Sequence, residues 1–250
     1  MFQDLSRPII FAHRGASAYA PENTLASFEL AFSLGADAIE LDARLSADGQ
    51  VVVIHDSTVD RTTDHRGRVA QLATEELRSM DAGAFFSDKY RGEKIPLLDE
   101  VFEALGKRIF INVELKDSAA LGDRLVDSVC SLIRRHGLEN RILLSSFLTS
   151  HLGKAKRLLP DVPRALLTYG NWMGAWARSF GFSFGDYIAL HPHLPEVTQR
   201  HVARVHRLER RVHVWTVNKA EDMLRLNHWG VDGFLTDDPQ LALKVLGRSS

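Results

Sequence analysis

Short apolar runs that alternate with amphipathic segments predict an α/β chain, and eight such units predict closure into a (β/α)8 barrel of the TIM type. Three observations carry this. The chain has 250 residues, about the length such a barrel takes. Strict alternation of strand and helix implies parallel pairing. The turn after the first strand, His13-Arg14-Gly15-Ala16-Ser17, lacks the glycine-rich phosphate loop usual in the competing open, doubly wound sheet.

The first strand is Ile9-Ile10-Phe11-Ala12, which delivers His13 and Arg14 to a break at Gly15. Ala20-Pro21-Glu22-Asn23-Thr24 reads as a turn, with Asn23 as the N-cap of a helix over 24–34. Leu25, Phe28, Ala31 and Phe32 share one face of that helix, and Gly35 stops it. Along 36–45, Ile39, Leu41 and Ala43 alternate with Glu40, Asp42 and Arg44. An Asp48-Gly49 turn signal then precedes Val51-Val52-Val53-Ile54. Five intervening residues are too few for a parallel crossover, so these strands form an antiparallel hairpin. A turn centred on Asp48-Gly49 sets Asp42 opposite His55, and a longer loop would shift this by one or two positions.

Residues 57–97 interrupt the rhythm and are too long for a barrel loop without structure of its own. They read as a small inserted subdomain, after the hairpin extension of strand 2, within a single catalytic domain over 1–250. Regularity then resumes: helix 98–106, strand 109–115, helix 121–136, strand 141–146, helix 149–158, strand 164–168 and helix 172–180. Strand 186–190 runs on to His191-Pro192. Helix 196–207, strand 211–216, helix 220–228 and strand 231–235 follow, and Asp238 with Pro239 caps the last helix.

Composition narrows the function classes. Acidic residues number 32 and basic residues 31, so charge gives no reason to expect nucleic acid or a membrane surface as partner. No run approaches the ~18 apolar residues of a membrane span. Met1-Phe2-Gln3-Asp4-Leu5 has neither the basic start nor the apolar stretch of a signal peptide, so a cytoplasmic location is expected, without stable membrane association. Nothing specifies an oligomeric state. The single cysteine, Cys130, lies on a helix without an activating neighbour and reads as a buried structural thiol.

The polar residues are placed more tellingly. His13, Glu40 with Asp42, Glu114 with Lys116, Ser145, His191, Trp215 and Asp237 all fall at C-terminal ends of predicted strands, the face that carries the chemistry in such barrels. Glu40, Asp42 and Glu114 make an all-oxygen set that suits one Mg2+ or Ca2+ better than zinc. Salt bridging to Arg44 and Lys116 is the structural alternative. His13 and His55 reach the rim from different segments, as a general acid and base would. Arg14 and Lys116 offer fixed positive charge to an anion. Metal, two imidazoles and cations without an evident nucleophile describe hydrolysis or transfer at a phosphodiester. His65, His136, His151, His201, His206 and His228 read as surface groups and His213 as core. Trp172, Trp176 and Phe180 lie at helical spacing and read as packing or a lid.

These residues also carry a family resemblance. The chain resembles the glycerophosphodiester phosphodiesterases of the bacterial cytoplasmic type. The matching stretches are His13-Arg14-Gly15, Pro21-Glu22-Asn23-Thr24, Glu40-Leu41-Asp42, His55-Asp56-Ser57-Thr58-Val59-Asp60-Arg61-Thr62-Thr63, Ile95-Pro96-Leu97-Leu98-Asp99-Glu100, Asn112-Val113-Glu114-Leu115-Lys116, Ser145-Ser146-Phe147 and Trp215-Thr216-Val217-Asn218. The resemblance implies a barrel with a small insertion after the hairpin and one divalent cation on Glu40, Asp42 and Glu114. It also implies His13 and His55 as the acid/base pair, with Arg14 and Lys116 on the phosphate. The substrate it implies is a small glycerophosphodiester, cleaved to an alcohol and glycerol 3-phosphate, with Trp215 against the glycerol carbons. Residues 171–186 lie where head groups would be sorted. A lysophospholipase D would need an apolar groove or membrane-facing patch. A non-catalytic phosphate-binding barrel would have no use for both histidines and all three carboxylates. A metal hydrolase of amides or esters would want a histidine-rich zinc site.

Overall fold

Four residues without exposed surface, Ile9, Ile10, Phe11 and Ala12, form the strand on which the sheet closes. The computed structural model describes residues 5–116, 124–169, 182 and 185–248. Strand β1 (Ile9–His13) pairs in parallel with β2 (Ala38–Leu45) on one edge and with β9 (Gly233–Thr236) on the other. From β2 the parallel ladder continues through β4 (Phe110–Leu115), β5 (Ile142–Ser146), β6 (Arg164–Thr168), β7 (Ala189–Pro192) and β8 (Arg211–Val214) to β9. Eight parallel strands thus close into a barrel, and β3 (Val51–Val53) adds an antiparallel arm to β2.

The period of two along each strand sorts the residues into an outer and an inner set. Outward, Ile39, Leu41, Ala43, Ile111 and Val113 pack against Phe28 and Ala31 of α1 (Leu25–Ser33) and Val101 and Phe102 of α3 (Leu98–Leu105). Inward, Ile9, Phe11, Ala38, Leu143, Ala165, Ala189 and Leu235 fill the barrel. The same inner rows run on toward the C-terminal ends as His13, Glu40, Asp42 and Glu114, with His13 beside Glu40 and Asp42 beside Glu114 in register. The outer layer is completed by α4 (Arg124–His136), α5 (Thr149–Leu158), α6 (Gln199–His206), α7 (Ala220–His228) and α8 (Pro239–Val245). Helix α8 starts as expected, with the Asp238 carboxylate accepting from Leu241 N at 2.8 Å and proline following. Cys130 is buried on α4, and burial pushes its thiol up to about 11.

The structure corrects several local expectations. The hairpin pairs Ala43 with Val53 and Leu45 with Val51, so Asp42 meets Ile54 through Ile54 N to Asp42 O at 2.9 Å, and not His55. The turn has three residues, Ala47 to Gly49, with Gly49 at φ +83°, a left-handed position that favours glycine. That odd count moves the register by one. His55 lies beyond the paired strand, where the chain leaves the sheet. Strand β7 begins at Ala189 and not at residue 186, because β6 first meets it at the pair Ala165 and Ala189. Phe32 is partly exposed under the Arg108 guanidinium, whereas His151, expected at the surface, is buried. The expected helix 172–180, with Trp172, Trp176 and Phe180, lies outside the described residues.

Residues 57–97 hold a 3-10 turn at Val69–Gln71, the short helix α2 (Thr74–Ser79) and a second 3-10 turn at Asp88–Tyr90. Val59, Val69, Leu77, Met80 and Ile95 pack there against Val52 and Ile54 of the hairpin arm.

Candidate active site

The site begins where β1 ends. Gly15 turns the chain at φ +87° against the first turn of α1, and a Cβ there would lie 2.3 Å from Ser27 Oγ. This tight corner aims the Arg14 backbone N–H at Glu40 Oε2, 3.0 Å away. Thr24, and not Asn23, caps α1, in a reciprocal box with Ser27. Asn23 serves the site instead. At φ +58° its side chain donates Nδ2–H to Asp42 Oδ2 at 2.8 Å and accepts Asp42 N–H at 3.3 Å.

Glu40, Asp42 and Glu114 are all buried, and one ligand oxygen from each lies within 4.8 Å of the others. Burial and the Asp42 charge push the Glu40 carboxyl up to about 8 and raise that of Glu114. Asp42 moves the other way: burial opposes ionisation there, but Lys116, Arg14 and His55 and the Asn23 hydrogen bond outweigh it. Lys116 Nζ is 2.8 Å from Glu114 Oε1 and 3.3 Å from Asp42 Oδ1, and Arg14 Nε is 3.5 Å from Asp42 Oδ2. Arg44 does not join them; its Nε–H donates to His55 O at 2.9 Å. Two cations facing three carboxylates leave an excess of negative charge. A hard dication suits such a donor set.

The two histidines are held alike and tuned oppositely. His13 Nδ1 donates to Asp237 Oδ1 at 2.6 Å, and His55 Nδ1 donates to Asp56 Oδ1 at 2.6 Å. An ionised carboxylate can only accept, so both rings keep Nε2 for the cleft. Burial disfavours a charge on His13, yet the Asp237 hydrogen bond and the Glu40 charge prevail and raise its pKa. At His55 burial leads and the Asp42 charge does not offset it; Lys116 and Arg14 lower the pKa further. Asp237 is itself held by Ser17 Oγ at 3.2 Å and Asn218 Nδ2 at 2.5 Å.

His13, Arg14, Glu40, His55, Glu114 and Lys116 line one cleft of about 960 Å³. Its far wall is aromatic. Trp215 meets Phe147 edge-on with ring centres 5.7 Å apart, and Phe147 stacks on Tyr169 at 3.9 Å. Of the expected rim residues, Asp42, Asp237, Ser145 and His191 do not line this cleft, and Asp237 faces the adjoining pocket with Arg14 and Asn218. Ser145 and His191 are buried inside the barrel, where His191 Nε2 lies 3.0 Å from His213 Nδ1 beside the Phe11 ring. Asp56 and Asn23 both lie in the motifs that carry the resemblance, yet the sequence gave Asp56 no role and Asn23 only that of an N-cap. A carboxylate directly after a rim histidine was the available signal for Asp56.

The fold and the cleft define a barrel hydrolase built for an anionic substrate, and comparison with known proteins gives the class. The sequence profile of the Glycerophosphoryl diester phosphodiesterase family matches residues 13–241. A glycerophosphodiester phosphodiesterase of Caldanaerobacter subterraneus subsp. tengcongensis is 37% identical over 243 residues, covering 97% of this chain and 99% of that protein. One from Bacillus altitudinis is 35% identical, covering 94% and 97%. Among solved structures, an Oleispira antarctica phosphodiesterase in complex with the product sn-glycerol-3-phosphate superposes with a TM-score of 0.87 at 31% identity, covering 96% and 97% of the two chains. The Agrobacterium tumefaciens glycerophosphodiester phosphodiesterase gives 0.81 at 29%, covering 94% and 98%. The chain belongs to the glycerophosphodiester phosphodiesterase family and is an enzyme, a phosphoric diester hydrolase. Among the described residues no helix is long and apolar enough to cross a membrane.

Proposed function

We propose that this enzyme hydrolyses small glycerophosphodiesters to an alcohol and glycerol 3-phosphate with the help of one divalent cation, Mg2+ or Ca2+, held by Glu40, Asp42 and Glu114. The observation that carries the reading is the convergence of three buried carboxylates, two of which, Glu40 and Glu114, line a cleft that also presents two oriented imidazoles. When bound, the cation supplies Lewis-acid polarisation of a phosphoryl oxygen. The chain's own groups do the rest. Arg14 and Lys116 neutralise the phosphate, and with a dication present they bring three carboxylates and one diester anion to balance. His13, with its raised pKa, holds the proton for the leaving oxygen, and His55, with its lowered pKa, takes one from the attacking oxygen. Trp215 packs against the carbon side of the glycerol, so the glycerol arm is gripped and the other alcohol is sorted less tightly. The glycerol 3-phosphate bound by the Oleispira relative supports that choice of arm.

The test follows glycerol 3-phosphate released from glycerophosphocholine and glycerophosphoethanolamine. Chelation should abolish release, and magnesium or calcium should restore it. Full activity after exhaustive chelation would remove the cation from the mechanism. An enzyme that spares both diesters yet frees choline from lysophosphatidylcholine would make it a lysophospholipase D, with the aromatic wall as its apolar groove.

A further inference from the structure

Arg61 lies outside the cleft, yet it joins the two halves of its machinery. Its Nε–H donates to Asp56 Oδ2 at 2.7 Å. Its two terminal nitrogens grip Glu22 as a fork, NH1 on Oε2 at 2.7 Å and NH2 on Oε1 at 2.8 Å. Each of these carboxylates already holds a group that lines the cleft. Asp56 orients His55 through Oδ1 at 2.6 Å, and Glu22 Oε1 accepts from Arg14 NH1 at 2.9 Å. The result is one continuous chain: His55, Asp56, Arg61, Glu22, Arg14, and from Arg14 to Asp42.

We propose that Arg61 is a positioning residue that holds His55 in register with the phosphate-binding Arg14. This rests on the roles given above to His55 and Arg14. Exposed ion pairs ordinarily contribute little. Here three N–H bonds of 2.7–2.8 Å close on two carboxylates, one after the hairpin and one in the loop before α1. Only a planar guanidinium presents Nε and both terminal nitrogens in such a fork; an ammonium on a flexible stem is a point charge. Burial resists ionisation of Asp56, but the Arg61 and His55 hydrogen bonds bring it down to about 2, and Glu22 is likewise lowered. Both bridging acids therefore stay charged at neutral pH, and the chain stays closed. Without Arg61, Asp56 keeps His55 and Glu22 keeps Arg14, but among the described residues no other side-chain hydrogen bond ties one pair to the other. Displacing a reacting group by about 1 Å can cost on the order of 10²-fold in rate.

The experiment is a double-mutant cycle in kcat and KM on glycerophosphocholine, with magnesium present and melting temperatures measured. Alone, Arg61→Gln should lower kcat by about 10- to 100-fold. On a His55→Ala background, read as glycerol 3-phosphate accumulated at high enzyme concentration, it should change kcat by less than about twofold, because the group it positions is gone. Arg61→Lys should stay impaired despite its charge, since it cannot span both acids. Should Arg61→Gln unfold at the assay temperature, Arg61→Lys takes its place in the same cycle under the same two outcomes. Wild-type kcat in Arg61→Gln, or equal losses on both backgrounds, would overturn the proposal. Normal turnover in His55→Ala itself would instead bring down the two-histidine reading beneath it.

Discussion

His13 and His55 show how two like residues are tuned in opposite directions. Each donates Nδ1–H to a carboxylate at 2.6 Å, so partner geometry does not separate them. Wider surroundings do: burial acts on both, but His13 also feels Glu40, while Lys116 and Arg14 stand near His55. The raised ring suits an acid near neutrality and the lowered ring a base. Asp237 is the lever on the first. In Asp237→Asn the hydrogen bond and charge that hold the His13 pKa up are weakened, so that pKa falls. The alkaline limb of the pH–rate profile should move to lower pH, and kcat should fall by about 10- to 100-fold, as when the partner that orients a functional histidine is removed. An unmoved alkaline limb would show that His13 does not set it. Asp237 stood at a strand end in the sequence, and its partnership with His13 joins residues 224 positions apart, a distance that no local pattern spans.

Neighbouring strands explain where local reading fell short. His191 on β7 and Ser145 on β5 sit at strand ends, which in an eight-stranded barrel reads as the reactive rim. Both are sealed within the barrel by the inner packing. Strand period gave their inward direction but not their depth, which depends on the stagger between strands. The hairpin register likewise turned on a single residue, since Asp48-Gly49 signals a turn without telling a two-residue loop from a three-residue one. Where the signal was long and periodic the expectation held: helices 149–158 and 220–228 stand as read. The buried imidazole pair has a measurable consequence. Burial lowers His191 to about 3 and His213 well below 6.5, so both rings are neutral in the folded state. Below the ordinary histidine pKa of about 6.5 the unfolded chain binds protons that the folded one refuses. Stability is therefore full above about 6.5 and is lost as pH falls toward the folded values, at up to about 1.4 kcal/mol per pH unit per ring. Urea unfolding at pH 7, 6 and 5 should show this slope, and His191→Phe should flatten it. A slope equal in the variant would mean that the rings titrate freely.

At the scale of the whole molecule, closure does what no single element can. The carboxylates of β2 and β4 converge because parallel register sets Asp42 beside Glu114 and a barrel turns both inward. Strict alternation made that closure legible, and the inner rows followed from period two. What the sequence could not display is the belt of contacts across the rim: Asn23 on Asp42, Asn218 on Asp237, and Arg61 between Asp56 and Glu22. All join distant segments, and each residue type is also common in turns or on solvated surfaces. The proposed function stands on Glu40, Asp42 and Glu114 sharing a cation beside the phosphate. A crystal structure with manganese or calcium and glycerol 3-phosphate tests it most directly. The expected result is one ion within about 2.0–2.6 Å of an oxygen from each of the three acids and of the phosphate. Lys116 should turn from Glu114 toward the phosphate. An ion bound elsewhere, or Lys116 still bridging Asp42 and Glu114 with phosphate in the cleft and no ion among the acids, would contradict it.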